Sequence, residues 1–165
     1  MLFLQFHIGK DRYALSSEEV IEVLPLLDLK RIPKAPEGIA GAFNYRGVPV
    51  PVVDLNTLSL GSKARLRMNT RIFIVRHHDE NGTQRPLGLI AEKVTETLNR
   101  DPKDFVDAGV TNTEAAYLGP VLNDENGLVQ WVKTAQLLPQ SVLDVLFKST
   151  DSLYKEVSAK AEVTA

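Results

Sequence analysis

The sequence predicts a mainly β fold built from two copies of one small unit. Each copy has about five strands curled into a barrel, the two share one core, and an α-helix follows at the C-terminus. Three observations predict this. Short β-branched or alternating runs recur between turn residues, at positions 2–8, 48–53, 72–75, 86–90, 117–122 and 128–132. The chain also matches itself. Laid without a gap over positions 87–98, positions 13–24 agree at five of twelve: Leu15/Leu89, Glu18/Glu92, Val20/Val94, Glu22/Glu96 and Leu24/Leu98. Positions 47–58 register over 127–138, with Val52 on Val132, Leu58 on Leu138 and the helix cap Asp54 on the cap Thr134. Finally, Leu143, Leu146 and Phe147 recur at helical spacing after Pro139.

The elements follow in order. Positions 2–8 make a strand, Gly9 and Lys10 the turn, and positions 12–15 the returning arm. Ser16-Ser17-Glu18-Glu19 is a helix-start signature, with a hydroxyl at the cap and carboxylates in the first turn. A short helical piece carrying Val20 and Val23 is expected before Pro25 stops it. Positions 26–32 read as mixed, and the two prolines and glycine of 33–38 make a loop. A hairpin follows. One strand ends near Phe43, Asn44-Tyr45-Arg46-Gly47 turns, and the run Val48 to Val53 returns. Asn44 and Gly47 are the residues expected to take left-handed angles there, and Arg46 must face water or a partner. Pro49 and Pro51 drop two N–H groups from one edge of the returning strand, which predicts a sheet edge or a bulge. Asp54 caps a helical turn over 55–58.

Lys63, Arg65, Arg67, Arg71 and Arg76 form a basic run without an acid, read as a solvated loop. Positions 72–75 and 86–90 are strands joined through the loop 77–82, positions 100–114 an irregular crossing, and 117–122 and 128–132 a second hairpin. That hairpin keeps its glycine, Gly127, but carries Glu125 and Asn126 ahead of it. The turn therefore needs no arginine, which shifts Arg46 toward a role with a partner. The helix spans 140–148. Positions 149–165 form a tail, frayed helix or disordered, beyond a domain of 1–148.

Composition narrows the function. At 165 residues, 44% hydrophobic and 24% charged, this is one soluble-type domain. A net charge of −2 argues against nucleic-acid binding by phosphate neutralisation. With no cysteine there are no disulfides and no thiol catalysis, and a reducing, cytoplasmic setting fits. The N-terminus lacks a basic start and a long apolar core, and no apolar run reaches about 18 residues, so no membrane insertion is expected. Chemistry is sparse too. His77 and His78 face opposite ways on a strand and make a poor metal site, Asp54 has no companion carboxylate, and no glycine-rich phosphate loop exists. Trp131 reads as core or barrel wall. An enzyme and a cofactor are not expected.

The segments Tyr13-Ala14-Leu15, Val20-Ile21-Glu22-Val23, Ile32-Pro33, Ile39-Ala40-Gly41, Asn44-Tyr45-Arg46-Gly47 and Pro51-Val52-Val53-Asp54-Leu55 together resemble the CheW family of bacterial chemotaxis adaptors. So do Leu87-Gly88-Leu89-Ile90, Val94, Tyr117-Leu118-Gly119 and Leu137-Leu138, and the resemblance spans roughly 2–147. It implies two SH3-like five-stranded β-barrel subdomains around a shared core. It also implies a non-enzymatic adaptor between a methyl-accepting chemoreceptor's cytoplasmic tip and the regulatory domain of a CheA-type histidine kinase. The family's receptor groove maps to Val20, Glu22, Val23, Arg46 and Val94, with Glu22 and Arg46 expected to form a salt bridge. The resemblance assigns no kinase-binding residue. Tyr45 stands where the family usually has Leu, and Pro49 is an added proline, so these two are the partner-specificity candidates. The pattern is that of a divergent paralogue, as in a surface-sensing system. The rival reading is a free-standing SH3-like module that binds a peptide or a kinase outside receptor arrays.

Overall fold

The structure, a computed structural model, describes residues 1–78, 82–107, 109 and 115–164, with side chains as far as Lys155. Residues 79–81 of the expected hairpin loop and 110–114 of the expected crossing lie outside the described residues. The chain runs β1 (Leu2–Ile8), β2 (Asp11–Ser16), a 3₁₀ turn (Ser17–Glu19), β3 (Val20–Pro25), β4 (Ile39–Tyr45), β5 (Val48–Asp54), α1 (Leu55–Leu60), β6 (Arg71–His78), β7 (Gln84–Asn99), β8 (Leu118–Asp124), β9 (Gly127–Val132) and α2 (Gln140–Thr164). Among the described residues, nine strands and a C-terminal helix make a mainly β molecule, as the sequence predicts.

Some elements differ from expectation. The helix start at Ser16 does form, with Ser16 Oγ accepting from Glu18 N at 3.3 Å, but it lasts only three residues. Val20 to Pro25 is a strand, not a helical piece. Val20, Ile21 and Val23 are β-branched, and β6 offers this segment an antiparallel ladder broken by one slip between Val20 and Glu22. His77 and His78 are the end of β6 rather than a loop, and they do face opposite ways: His77 is buried, His78 exposed. The 86–90 strand is only the start of the long β7. The two prolines of β5 lie where the sheet requires them. β5 pairs with β7 only from Val52 onward, so Pro49 and Pro51 occupy a stretch whose β7 side is open.

The pairings form two five-stranded groups. One holds the second half of β7 (residues 92–99), then β1, β2, β9 and β8. The other holds β3, β6, the first half of β7 (residues 84–91), β5 and β4. The groups are copies in topology and in register. Leu24 pairs with Ile72 and Glu22 with Ile74; their repeat mates Leu98 and Glu96 pair with Phe3 and Gln5, and each ladder slips just beyond. Each group therefore combines the first two strands of one half with the last three of the other. In the second half no helical turn intervenes. Lys93, at φ 51°, bends β7 where the first half has Ser17–Glu19. Neither group is closed by a full ladder among the described residues. Single two-bond bridges span each opening, Lys30 with Ala42 and Val106 with Val121. At the first bridge Gly41 is obligatory: at φ 149°, a Cβ there would lie 2.6 Å from the Lys30 carbonyl oxygen.

One apolar cluster joins both groups and α2: Phe6, Leu15 and Val53 pack with Phe73, Leu89 and Val132, and with Leu143, Leu146 and Phe147 of the helix. The last three are the helix face read from sequence. Smaller clusters fill each sheet, one around Val50 and Ile74, the other around Phe3 and Phe105 with Trp131 at its edge. Phe147 stacks on His77 at 5.9 Å and lies 4.3 Å beneath the Arg85 guanidinium, which also chelates Asp151 at 2.8 and 3.1 Å. These contacts seat α2, which continues past Lys148 to Thr164.

Candidate functional site

The β4–β5 hairpin turns in two residues. Tyr45 pairs with Val48, and Arg46 and Gly47 have φ of 51° and 85°, the left-handed pair that suits a tight hairpin. Asn44 stays in the strand, contrary to expectation, and its Oδ1 accepts the Gly47 N–H at 2.7 Å. It braces the turn from outside, so Arg46 carries the unfavourable angle. The second hairpin differs: Asp124 pairs with Gly127 around Glu125 and Asn126, so its glycine sits past the loop rather than in it. The two turns are not equivalent, and the comparison of their sequences does not by itself release Arg46 from a structural role.

The geometry around Arg46 does. Its Nη2 lies 3.2 Å from Glu22 Oε2 on β3, which is the expected ion pair. The side chains are 74% and 34% exposed, so the pair contributes about 0–1 kcal/mol. A non-glycine residue in the left-handed region costs about 1 kcal/mol. The arrangement therefore gains no net stability, and its value lies in presenting charge. Tyr45 completes it. Its hydroxyl donates to the same Glu22 oxygen, chiefly through which the phenol's pKa is raised. Its ring packs edge-on to Phe43 at 6.2 Å and has the Arg46 guanidinium 5.1 Å from its centre. Glu22, Tyr45 and Arg46 thus form one cluster that ties β3 to the tip of β4, the two outermost strands of their group. The sequence carries no signal for the tyrosine hydrogen bond, because it does not show which strand faces the hairpin tip.

The other predicted residues divide. Ile21 and Val23 flank Glu22 and are exposed, as is Val48 beside the turn. Pro49 is half-buried opposite Asn44. Val20 and Val94 are repeat mates, and both are half-buried against the shared cluster, so they line the junction of the halves rather than the hairpin. Among the described residues no group of acids and histidines could hold a metal, and no helix is long and apolar enough to cross a membrane.

Similarity to known proteins decides the family. A sequence profile of the CheW-like domain matches residues 2–142. The chain belongs to the CheW-like family. It is similar to the chemotaxis protein CheW of Helicobacter pylori, 28% identical over 127 residues, 76% of this chain and 67% of that protein. Protein FrzA of Myxococcus xanthus is 36% identical over 72 residues, 44% of this chain and 45% of FrzA. CheW of Klebsiella aerogenes is 29% identical over 97 residues, 59% of this chain and 55% of that protein. The chain thus spans about two thirds of the first relative and about half of the other two. The crystal structure of the scaffolding protein TtCheW from Thermoanaerobacter tengcongensis superposes with a TM-score of 0.72 at 25% identity, covering 84% of this chain and 87% of that one. The CheW-like fold, with its SH3-like halves, is therefore the fold of this chain.

Proposed function

We propose that this chain is a non-enzymatic adaptor coupling chemoreceptors to a CheA-type histidine kinase in a bacterial chemosensory complex. Membership of the CheW-like family over residues 2–142 carries the reading. The likeness to a scaffolding protein over most of both chains supports it. The protein works in the cytoplasm, against the tips of membrane-bound receptors. The receptor contact centres on Glu22, Tyr45 and Arg46, with exposed Ile21, Val23 and Val48 around them. Apolar side chains beside a fixed charge pair suit a helical hairpin: burial supplies affinity and the charges set register. Tyr45 and Pro49, with Arg46 held in a strained turn, select the receptor. Val20 and Val94, at the junction of the two halves, form the inner end of the receptor groove in this reading.

The test is a ternary pull-down with a receptor cytoplasmic fragment and the kinase regulatory domain. Arg46→Glu places two carboxylates together, and Val23→Asp puts a charge on the apolar surface. Each is expected to weaken receptor capture at least about tenfold while kinase capture persists. Unchanged receptor capture by both variants, with melting temperatures matching the parent, overturns the site. Failure of the parent protein to bind either partner overturns the adaptor reading.

A further inference from the structure

The basic run after α1 is not loose. Two buried carboxylates hold it. Asp54 Oδ1 accepts from Asn56 N at 2.9 Å and Thr57 N at 3.4 Å, while Oδ2 accepts from Ala64 N at 3.0 Å. Glu92, 7% exposed, accepts from the Asn56 amide at 3.3 Å and from Arg65 N. Thr70 fastens the far side, donating to the Arg65 carbonyl and accepting from Arg67 N. With its backbone pinned at both ends, the loop holds Leu66 and Met68 out at 85% and 98% exposure. The buried acids fix the loop's backbone, so Leu66 and Met68 are presented to solvent from a set position between the arginines.

Beside this loop lies a cavity of about 680 Å³. Arg31, Lys34 and Lys63 stand on its rim, and Ile32, Ile39, Ile90 and Leu66 line its apolar part. Among the described residues none of the three cations has a carboxylate within ion-pair distance. Asp54 also lines the cavity, but its oxygens are taken by backbone N–H groups. Glu37, the other nearby acid, ends about 4.0 Å from where a Gly61 Cβ would be. Lys34 holds φ at 57°, an angle a lysine adopts at a cost. The cavity takes in Ile39 and Ala40 at the start of β4, and Arg46 follows its other end, roughly 20 Å away at strand rise.

From this geometry we infer a second docking site: the cavity and the rigid loop beside it take an acidic peptide segment of a partner protein, with an aliphatic side chain in the cavity. Three unpaired cations on an apolar pocket, in a chain of net charge −2, complement that chemistry and repel a basic partner. A small anion would occupy only a part of a cavity of about 680 Å³ and leave Met68 in water; a peptide segment fills the cavity along Leu66 and covers Met68 as well. The preformed loop lowers the ordering penalty on binding.

The probe is a fluorescently labelled, end-blocked peptide alternating aspartate and leucine, titrated by anisotropy at low salt against the intact protein. Saturable binding is expected, weakened by added salt. The double variant Lys34→Glu/Lys63→Glu should weaken it about tenfold or more, and Leu66→Ser about fivefold. All three positions are exposed, so melting temperatures should match the parent. Binding that survives charge reversal overturns the inference. So does equal binding of a peptide with alanine for leucine, which would mark bare charge attraction, or competition by inorganic phosphate alone at equal strength. Receptor capture should be unchanged in the double variant, and peptide binding unchanged in Arg46→Glu, so either site can fail without the other.

Discussion

Arg46 is held in a conformation that glycine would adopt freely. Arg46→Gly should therefore leave the melting temperature level or slightly raised, a change within about 1 kcal/mol, while abolishing receptor capture. A clear loss of stability would make Arg46 a structural residue. Gly41 is the opposite case: Gly41→Ala would force a methyl against the Lys30 carbonyl and the Leu29 side chain, 2.6 and 2.9 Å away. A loss of about 2–3 kcal/mol is expected, read as a fall in denaturation midpoint. The sequence shows both residues at the ends of one motif but not which is strained and which is squeezed. Turn chemistry favours Asn44 for the left-handed angle. The hydrogen bond that its side chain accepts from the Gly47 N–H holds it in the strand instead, and that choice depends on where β5 pairs.

The tie between the two end hairpins is the clearest electrostatic element. Arg12 on β2 chelates Asp124 on β8 at 2.8 and 2.9 Å and also reaches Gln5. The Arg12 hydrogen bond, more than any other cause, draws the Asp124 pKa down from 3.8 to about 2. A carboxylate with a depressed folded pKa stabilises the fold above its unfolded value and loses that contribution as pH falls. Stability should thus drop between about pH 4 and pH 2, and Arg12→Met should cost about 2 kcal/mol at neutral pH and flatten this acid limb. A parallel acid limb in the variant would disprove the assignment. On α2, Leu143 is fully buried in the shared cluster, and Leu143→Ala should cost about 2–4 kcal/mol. Leu143, Leu146 and Phe147 are legible as a helix face because periodicity is local. Val20 to Pro25 reads as helical in the sequence because its start signal is local and its pairing with β6 is not. The roles of Asp54 and Glu92 in fixing the basic loop were only half legible. Asp54 reads as a cap, but its second oxygen and the whole of Glu92 act across the fold.

At the scale of the molecule, each group takes two strands from one half and three from the other, so neither half holds a whole group alone. Trp131, the one tryptophan, sits in the cluster of the first group, whereas far-UV circular dichroism sees both. The two signals should give coincident denaturation curves; separate midpoints would show independent halves. The duplication was readable from matched residues such as Glu22 and Glu96. The exchange was not, because a repeat in sequence does not say which copy completes which sheet. The copies have diverged at this position: Glu22 meets Arg46, while Glu96 has Asn126 as the corresponding turn residue and, among the described residues, forms no ion pair.

Viewed by connectivity, the strand exchange makes this chain a domain-swapped dimer joined end to end. A free pair of such units would assemble only as fast and as fully as its concentration allowed. Covalent joining replaces that dependence with a fixed, high local concentration, so the fold is as complete at a few copies per cell as at many. It also releases the two units from identity. A true dimer must show every surface twice, so it would recruit two of each partner. The joined chain displays one Arg46 hairpin and one basic-rimmed cavity, so each proposed contact would be made once per chain.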